Sequence, residues 1–153
     1  MDKNQIKKMI GQCLMIGFEG YEINNHVKTM IHEYHVSSII LFARNIKDED
    51  QLLSLTTSLQ KEAQFAGYER TLLISIDHEN GLVNRLSGFN FNLPGAMALG
   101  ATGNSEYAQI IGEMTASELS RLGLHWNLAP VMDVNTNYKN PGIGTRSFSD
   151  DEF

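Results

Sequence analysis

The sequence changes from an apolar run to a polar loop within the stretch Asn127-Leu-Ala-Pro-Val-Met-Asp-Val-Asn-Thr-Asn-Tyr-Lys-Asn-Pro-Gly-Ile-Gly-Thr-Arg-Ser-Phe148. The apolar part is too short for a helix and has a proline near its start, which predicts a strand over residues 128–134. Asp133 stands near the end of this strand, and an Asn/Gly/Pro loop then brings Arg146 back towards it. Loops at the carboxyl ends of buried strands are where α/β proteins build polar ligand sites.

Strand and helix patterns alternate along the whole chain. Strands are predicted over 13–18, 36–42, 71–76 and 128–134, and the run at 36–42 is apolar enough for a strand covered on both faces. Helices are predicted at 4–11, 23–34, 48–66 and 105–122. Since helices separate successive strands, we expect a parallel sheet with every polar cluster at one edge, built as a barrel or as a doubly wound sheet.

Local signals place the ends of these elements. The predicted N-caps are Asn24 or Asn25, Asp48 and Ser105, and the predicted left-handed stops are Gly67 and Gly123. Helix 105–122 is expected to bury Ile110, Ile111, Met114, Leu119 and Leu122. Residues 86–104 form a long connection, and a connection longer than about fifteen residues is usually functional.

Composition excludes several classes of protein. A formal net charge of −6 with scattered basic residues argues against a nucleic-acid partner. Cys13 is the single cysteine, so we expect it to fill the core, with neither an intrachain disulfide nor a cysteine-based zinc site. A polar start and the lack of a long apolar run predict no secretory signal, no membrane anchor and a cytoplasmic location.

Two blocks of residues resemble the N-terminal barrel domain of glycoside hydrolase family 3, most of all its β-N-acetylhexosaminidase branch. The first block, Ile76-Asp-His-Glu-Asn-Gly-Leu-Val-Asn-Arg85, resembles the family segment Asp-Gln-Glu-Gly-Gly-Arg-Val-x-Arg, and the family's proline-containing segment follows it at Leu93-Pro-Gly-Ala-Met-Ala-Leu-Gly-Ala-Thr102. The second block combines Ala129-Pro-Val-Met-Asp-Val134 with Asn140-Pro-Gly-Ile-Gly-Thr-Arg-Ser-Phe148. Their order and spacing fit along the whole chain, so the resemblance is specific.

The resemblance implies an α/β fold of the (β/α)8 TIM-barrel family. Such barrels typically need about 250 residues, so residues 1–153 are expected to be the truncated N-terminal half of the barrel domain, with about the first four β/α units. An open half-barrel leaves strand edges and an apolar face uncovered, and we therefore expect self-association.

The resemblance also implies which residues bind substrate. Asp77 is expected to accept hydrogen bonds from sugar hydroxyls, although the same residue could simply cap a turn. Arg85 and Arg146 match family positions that contact the sugar, and a guanidinium fork suits adjacent hydroxyls or an acetamido carbonyl. Asp133 is expected to support the asparagine loop through bonds from its side chain to the backbone. For Glu79 the resemblance implies a structural role in the turn.

Two departures from the family segment stand out. Asn80-Gly81 replaces Gly-Gly, which should be mild because Asn tolerates a left-handed backbone, and Leu82 replaces an Arg, which weakens any statement about the exact sugar. His32 and His35 have no evident carboxylate partner, so we expect no metal site. Gly100-Ala-Thr-Gly103 lacks the Lys and Ser/Thr of a phosphate loop, and no cofactor is expected.

The resemblance implies a hydrolase of terminal β-linked N-acetylglucosamine in cell-wall or chitin oligosaccharides, with a role in cell-wall recycling. Retaining glycosidases need a nucleophilic carboxylate and an acid/base. No segment here resembles the family's Lys-His, acid/base or nucleophile segments, so this chain is expected to bind substrate without a catalytic residue and to be inactive alone. The alternatives are a non-catalytic half-barrel that binds sugar weakly or docks with another chain, and a family 3 β-glucosidase or β-xylosidase specificity.

Overall fold

A computed structural model describes residues 2–151 of the chain. Five helices and four short strands follow one another, with two 3-10 turns at Ala43–Asn45 and Gly144–Arg146. The helices are α1 (Lys3–Gln12), α2 (Asn25–His32), α3 (Glu49–Phe65), α4 (Ala96–Gly100) and α5 (Ser105–Arg121). The strands are β1 (Met15–Ile16), β2 (Ser38–Leu41), β3 (Leu73–Ile76) and β4 (Trp126–Asn127).

The four strands form one parallel sheet in the order β1-β2-β3-β4. Each strand therefore pairs with its neighbour in the chain, and no described strand crosses over to the far side of β1 as a doubly wound sheet requires. The fold is α/β with the strand order of a TIM barrel, of which four parallel strands make a partial barrel. The expected fold class is confirmed.

The core lies between the sheet and helices α2, α3 and α5. Buried members of the core are Val27 and Ile31 from α2, Leu52, Leu55, Leu59 and Ala63 from α3, Leu119 from α5, and Ile39, Leu41, Ile74 and Ile76 from the central strands. In β2 burial alternates, with Ile39 and Leu41 buried and Ser38 and Ile40 only partly covered. The expectation that this strand is covered on both faces is wrong, because four strands do not close around the inner face.

Most predicted helix boundaries are confirmed. The Asn24 side chain accepts from the Val27 N–H at 3.0 Å, and the Asp48 side chain accepts from the Gln51 N–H at 2.8 Å, as N-caps do. Gly67 and Gly123 have φ of 78° and 74°, the left-handed conformation of helix stops. The cap of α5 is Asn104 and not Ser105, since the Asn104 side chain accepts from the Glu106 N–H.

The predicted strand over 128–134 is wrong, because β4 comprises only Trp126 and Asn127. The Leu128 N–H still donates to the Ile76 carbonyl at 2.8 Å, but the partner strand ends at Ile76. Pro130 then has no N–H to donate and follows a cis peptide bond. The apolar run continues beyond the available strand partners as an irregular segment.

Side chains along the β4 flank of the sheet are more exposed than their pattern predicts. In α5 the buried side chains are Thr115 and Leu119, whereas Ile110 and Met114 are 49% and 46% exposed. The described residues contain no fifth β/α unit beyond α5, so that side of the helix has no helical neighbour to cover it. The expected burial of Ile110 and Met114 is therefore wrong for this chain.

Two smaller expectations are corrected. Cys13 is exposed and does not fill the core, because it is the C-cap of α1, just past the end of that helix. The long connection over 86–104 is not wholly irregular, since it contains α4. Within the described residues, none of the helices combines the length and the apolar character that crossing a membrane requires.

Two helical glycines should respond to alanine in opposite directions. A Cβ on Gly100 would lie 1.8 Å from the Phe148 carbonyl oxygen, whereas a Cβ on Gly112 would meet nothing within 4 Å. Gly112→Ala should raise the free energy of unfolding by about 0.5–1 kcal/mol through helix propensity. Gly100→Ala should lower it by about 1–3 kcal/mol, because α4 must move away from the 148 backbone. Urea unfolding of both variants measures this, and a stabilised Gly100→Ala protein would contradict the described contact.

Candidate functional site

Asp77 and Arg85 form an ion pair at the carboxyl end of β3. The Arg85 Nε donates to Asp77 Oδ1 at 2.7 Å and its Nη2 donates to Oδ2 at 2.6 Å. Both side chains are about one-quarter exposed. Such parallel bonds fix the plane of the carboxylate as well as its position. Two of the three expected substrate-binding residues therefore contact each other directly.

A tight turn between these two residues brings Arg85 back to Asp77. Asn80 and Gly81 have φ of 63° and 52°, and the Glu79 N–H donates to the Val83 carbonyl at 2.9 Å. The left-handed conformation at Asn80 agrees with the expectation that Asn replaces the family glycine there without a large backbone cost. A Cβ on Gly81 would lie 2.8 Å from the Gly95 Cα, so the turn and the segment before α4 touch through glycine backbones.

A second carboxylate-arginine pair lies beside the first. Arg146 donates from Nε to Glu79 Oε2 at 2.8 Å and from Nη2 to Glu79 Oε1 at 2.6 Å. Its Nη1 donates to the Gly142 carbonyl at 2.7 Å, so the guanidinium also holds its own loop. The Glu79 side chain is 9% exposed. Glu79 has the structural role expected for it, and its partner is a residue 67 positions later in the chain.

The charges of the two pairs act on each other. Hydrogen bonding to Glu79 raises the pKa of the Arg146 guanidinium, and the charges of Glu79, Asp133 and Asp77 add to this effect. Hydrogen bonding to Asp77 raises the pKa of the Arg85 guanidinium, with Glu79 contributing attraction and Arg146 repulsion. The structure thus brings Asp77, Arg85 and Arg146 together at the carboxyl edge of the sheet.

Asp133 contributes in a different way from the one expected. Its carbonyl oxygen accepts from the Ser147 hydroxyl at 2.5 Å, while its exposed carboxylate accepts no hydrogen bond from the part of the chain that the structure describes. The turns of the asparagine loop are held by the side chains of Asn137 and Asn140, which accept from the backbone N–H groups of Lys139 and Gly142. Asparagines two residues back fold such turns locally, so the supporting role assigned to the Asp133 side chain is wrong.

Four buried or partly buried side chains around the turn were not singled out by the sequence as functional. They are His78, Asn80, Thr115 and Asn127, which hydrogen-bond to one another or to the turn's backbone. Three of these positions were visible, since His78 and Asn80 lie inside the resembling block and Asn127 stands directly before the predicted strand 128–134. Their partnerships were not, because residues 80 and 115 meet only in the folded chain.

A cavity of about 370 Å³ borders the Glu79–Arg146 pair. Its walls are mostly apolar side chains from α4, α5 and the segment after β4, and neither Asp77 nor Arg85 lines it. The polar groups that border this cavity include Glu79, Arg146 and the side chains around the turn at His78, Asn80, Thr115 and Asn127. The Asp77–Arg85 pair lies outside it.

The histidines do not assemble a metal centre in residues 2–151, where no group of three or more His, Cys, Asp or Glu side chains could hold a metal ion. His32 does have a carboxylate partner, since its Nε2 lies 2.7 Å from Glu62 Oε1. Glu62 belongs to the adjacent helix α3, 30 positions after His32, so the sequence alone does not show that the two side chains are close.

Comparison with known proteins identifies the family to which the chain is similar. The family model described as glycosyl hydrolase family 3 N terminal domain matches residues 5–153. The beta-hexosaminidase A of Pseudoalteromonas piscicida is 34% identical over 163 residues, which cover 94% of this chain and 27% of that protein.

Solved structures agree in fold. A glycoside hydrolase family 3 β-N-acetylglucosaminidase from a Paenibacillus species superposes with a TM-score of 0.89 at 42% identity, over 94% of this chain and 27% of that one. NagZ from Neisseria gonorrhoeae, in complex with N-trifluoroacetyl-D-glucosamine, gives a TM-score of 0.76 at 28% identity, over 90% of this chain and 41% of that one.

The chain spans less than half the length of each of these relatives. The family match nevertheless covers all but the first four residues, and the strands succeed one another in barrel order. The chain belongs to glycoside hydrolase family 3, as part of the N-terminal barrel domain.

Proposed function

We propose that this chain supplies the substrate-binding residues of a glycosidase that removes terminal β-linked N-acetylglucosamine from cell-wall or chitin oligosaccharides. The observation that carries the proposal is that Asp77 pairs with Arg85 at the carboxyl edge of a parallel sheet, while Arg146 pairs with Glu79 in the turn between them. That edge is where barrel enzymes bind their substrates. The relatives named beta-hexosaminidase and β-N-acetylglucosaminidase support the choice of sugar.

The Asp77–Arg85 pair keeps hydrogen-bonding capacity for a ligand. An ionised carboxylate offers about four lone-pair sites, of which Arg85 occupies two. The remaining two can accept from adjacent sugar hydroxyls, which have the spacing that two oxygens of one carboxylate can reach. Because Arg85 holds the carboxylate in place, a sugar gains these bonds without first ordering the side chain.

Arg146 has two unused donors. A guanidinium has five N–H groups, and Arg146 directs two to Glu79 and one to the Gly142 carbonyl. The remaining two N–H groups of Nη1 and Nη2 are available to a hydroxyl or to an acetamido carbonyl oxygen. The nearly buried Glu79 acts as the fixed support on which this donor is oriented.

The same contacts make Asp77 and Glu79 poor candidates for the chemical step. Both oxygens of each carboxylate accept from a guanidinium in a two-bond pair, which holds the carboxylate against its arginine and keeps it from turning towards an anomeric carbon or a leaving-group oxygen. A retaining glycosidase also needs two carboxyl groups about 5–5.5 Å apart on either side of the glycosidic bond. We therefore assign substrate binding to this chain and the nucleophile and acid/base to other parts of the enzyme.

Sugar titrations followed by two-dimensional NMR test the binding role and its specificity. N-acetylglucosamine should shift the Arg85 and Arg146 resonances more than glucose or xylose at equal concentration. Arg146→Ala should weaken binding about 30-fold or more, because truncating one partner of a charged hydrogen bond costs about 2–5 kcal/mol.

Arg121→Ala is the matched control. Arg121 also pairs with glutamates, Glu49 and Glu118, but it lies at the end of α5, away from the site. It should leave sugar binding unchanged. Stronger shifts with glucose or xylose would favour the β-glucosidase or β-xylosidase specificity, and equal loss in both arginine variants would remove the binding role.

Without a catalytic pair, the purified chain should release no 4-nitrophenol from 4-nitrophenyl N-acetyl-β-glucosaminide above a buffer control. Groups that only position a substrate do not form the covalent intermediate. General acid–base catalysis, which is also missing, accelerates a reaction about 10²- to 10⁴-fold. Hydrolysis that disappears in Asp77→Ala would show that a catalytic pair exists within these residues.

The open flanks of the sheet should make the chain self-associate. β1 and β4 are edge strands, and Ile110 and Met114 are exposed beside β4. Size-exclusion chromatography with light scattering should give a mass above that of the 17.1 kDa monomer. Ile110→Glu should lower the associated fraction, whereas Leu53→Glu, on a similarly exposed position of α3, should not. A stable monodisperse monomer would contradict self-association.

A further inference from the structure

A continuous line of buried hydrogen bonds runs from the turn after β3 to helix α5. His78 Nε2 lies 2.8 Å from Asn80 Oδ1, Asn80 Nδ2 donates to Thr115 Oγ1 at 3.0 Å, and Thr115 Oγ1 donates to the Ile111 carbonyl at 2.8 Å. The first three of these residues are 0%, 8% and 6% exposed. Each side chain in the line thus has its polar atoms partnered away from water, as buried polar groups require.

The direction of these bonds identifies the protonation state of His78. The Arg85 backbone N–H can only donate, and it points to His78 Nδ1 at 3.1 Å, so Nδ1 must lack a proton. The ring proton of a neutral imidazole then lies on Nε2, which donates to Asn80 Oδ1. Asn80 in turn must present its amide hydrogens to Thr115, in agreement with the observed contact.

The backbone of His78 is held equally firmly from the other side. Its N–H donates to Asn127 Oδ1 at 2.9 Å, and its carbonyl accepts from Asn127 Nδ2 at 2.8 Å. Asn127 belongs to β4, so the residue next to Asp77 is attached to the neighbouring strand through both of its peptide groups. The imidazole is therefore a fixed acceptor for the Arg85 N–H.

We propose that His78 and Asn80 are positioning residues that hold Arg85, and through it the carboxylate of Asp77, in the geometry that receives the sugar. Both occupy positions where the family segment quoted above has other residues, Gln and Gly, and in this chain the two replacements bond to each other. They act as a matched pair that extends the support of the site to Thr115 on α5. The effect on sugar binding rests on the proposed function.

Electrostatics around the ring is consistent with a neutral His78. Burial lowers the pKa of the imidazole, and the positive charge of Arg85 lowers it further. The hydrogen bond to Asn80 and the negative charge of Asp77 raise the pKa and oppose this shift. The Phe91 ring lies with its centre 6.3 Å away and offers no charge. A second proton would sit on Nδ1, against the Arg85 N–H, and would remove the acceptor on which the arrangement depends.

The tautomer is tested on the sugar-free protein by long-range ¹H–¹⁵N NMR of the histidine rings. His78 should show a protonated Nε2 and an unprotonated Nδ1 at neutral pH, and should keep that form as the pH is lowered past 6.5, the ordinary histidine pKa. Exposed His26 provides an internal reference ring. A His78 ring that is protonated on Nδ1 at neutral pH would overturn the proposal.

Four variants test the coupling. Asn80→Gly and Thr115→Val each remove one side chain of the line, and each should shift the Arg85 Nε–H resonance and weaken N-acetylglucosamine binding by about two- to tenfold. Gly adopts the φ of 63° at position 80 without strain, so weaker binding in Asn80→Gly is caused by the loss of the side chain. Thr57→Val, at an exposed position of helix α3, is the control and should change neither quantity.

The double variant His78→Gln/Asn80→Gly restores the family pattern at both positions. A Gln carbonyl oxygen can accept from the Arg85 N–H without needing Asn80, so the double variant should bind better than Asn80→Gly alone. A double variant that binds no better than Asn80→Gly, or an Arg85 resonance that does not move in Asn80→Gly, would overturn the proposal.

Because the tautomer and the Arg85 resonance are read without sugar, failure of the positioning role is distinguishable from failure of the proposed function. Absence of sugar binding in the unaltered chain would remove the proposed function and leave both sugar-free readouts intact. If His78→Gln/Asn80→Gly does not fold, Asn80→Gly and Thr115→Val still decide the question.

Discussion

Parallel pairing in chain order is the constraint on which the rest of this structure depends. Because β1 to β4 run in the same direction and each pairs with the next, the residue that follows every strand lies at the same edge. Asp77 follows β3 directly, and Arg146 reaches this edge from the far end of the loop after β4. The charge of Asp77 therefore acts on Arg146, although the two residues lie 69 positions apart in the sequence. The helices pack on the outer face of the sheet, and the core that they form with the strands holds this edge in place.

The turn between Asp77 and Arg85 is held from several directions. Asn127 attaches it to β4, Thr115 attaches it to α5, and the backbone of Gly95 lies against Gly81. A ligand site needs such support, since charged side chains lose affinity when they must be ordered at the moment of binding. Most of the supporting groups are uncharged and buried, and the charged groups that could meet a ligand are the ones left partly exposed.

On the β4 side of the sheet, apolar side chains with the spacing of a buried helix face remain exposed. Ile110 and Met114 have the spacing of a buried helix face, and Trp126 begins the last strand, but all three are about half exposed. Burial needs a neighbour as well as an apolar side chain, and a strand at the edge of a sheet has a neighbour on one side only. The same lack of a partner ends β4 after Asn127, although the apolar run continues.

The sequence by itself determined the order of the helices and strands and most helix ends. Apolar periodicity located three of the four described strands and four of the five helices. Asp48 and Gly67 marked helix ends through local bonds and backbone preference, and the resembling blocks singled out Asp77, Arg85 and Arg146 as candidates. These features depend on residues a few positions apart. Only the tertiary structure decided that the strands follow one another as in a barrel, that Glu79 supports Arg146, and that His78, Asn80 and Thr115 form one line. Those partnerships join residues up to 67 positions apart, and no local pattern records which distant group a buried donor will meet.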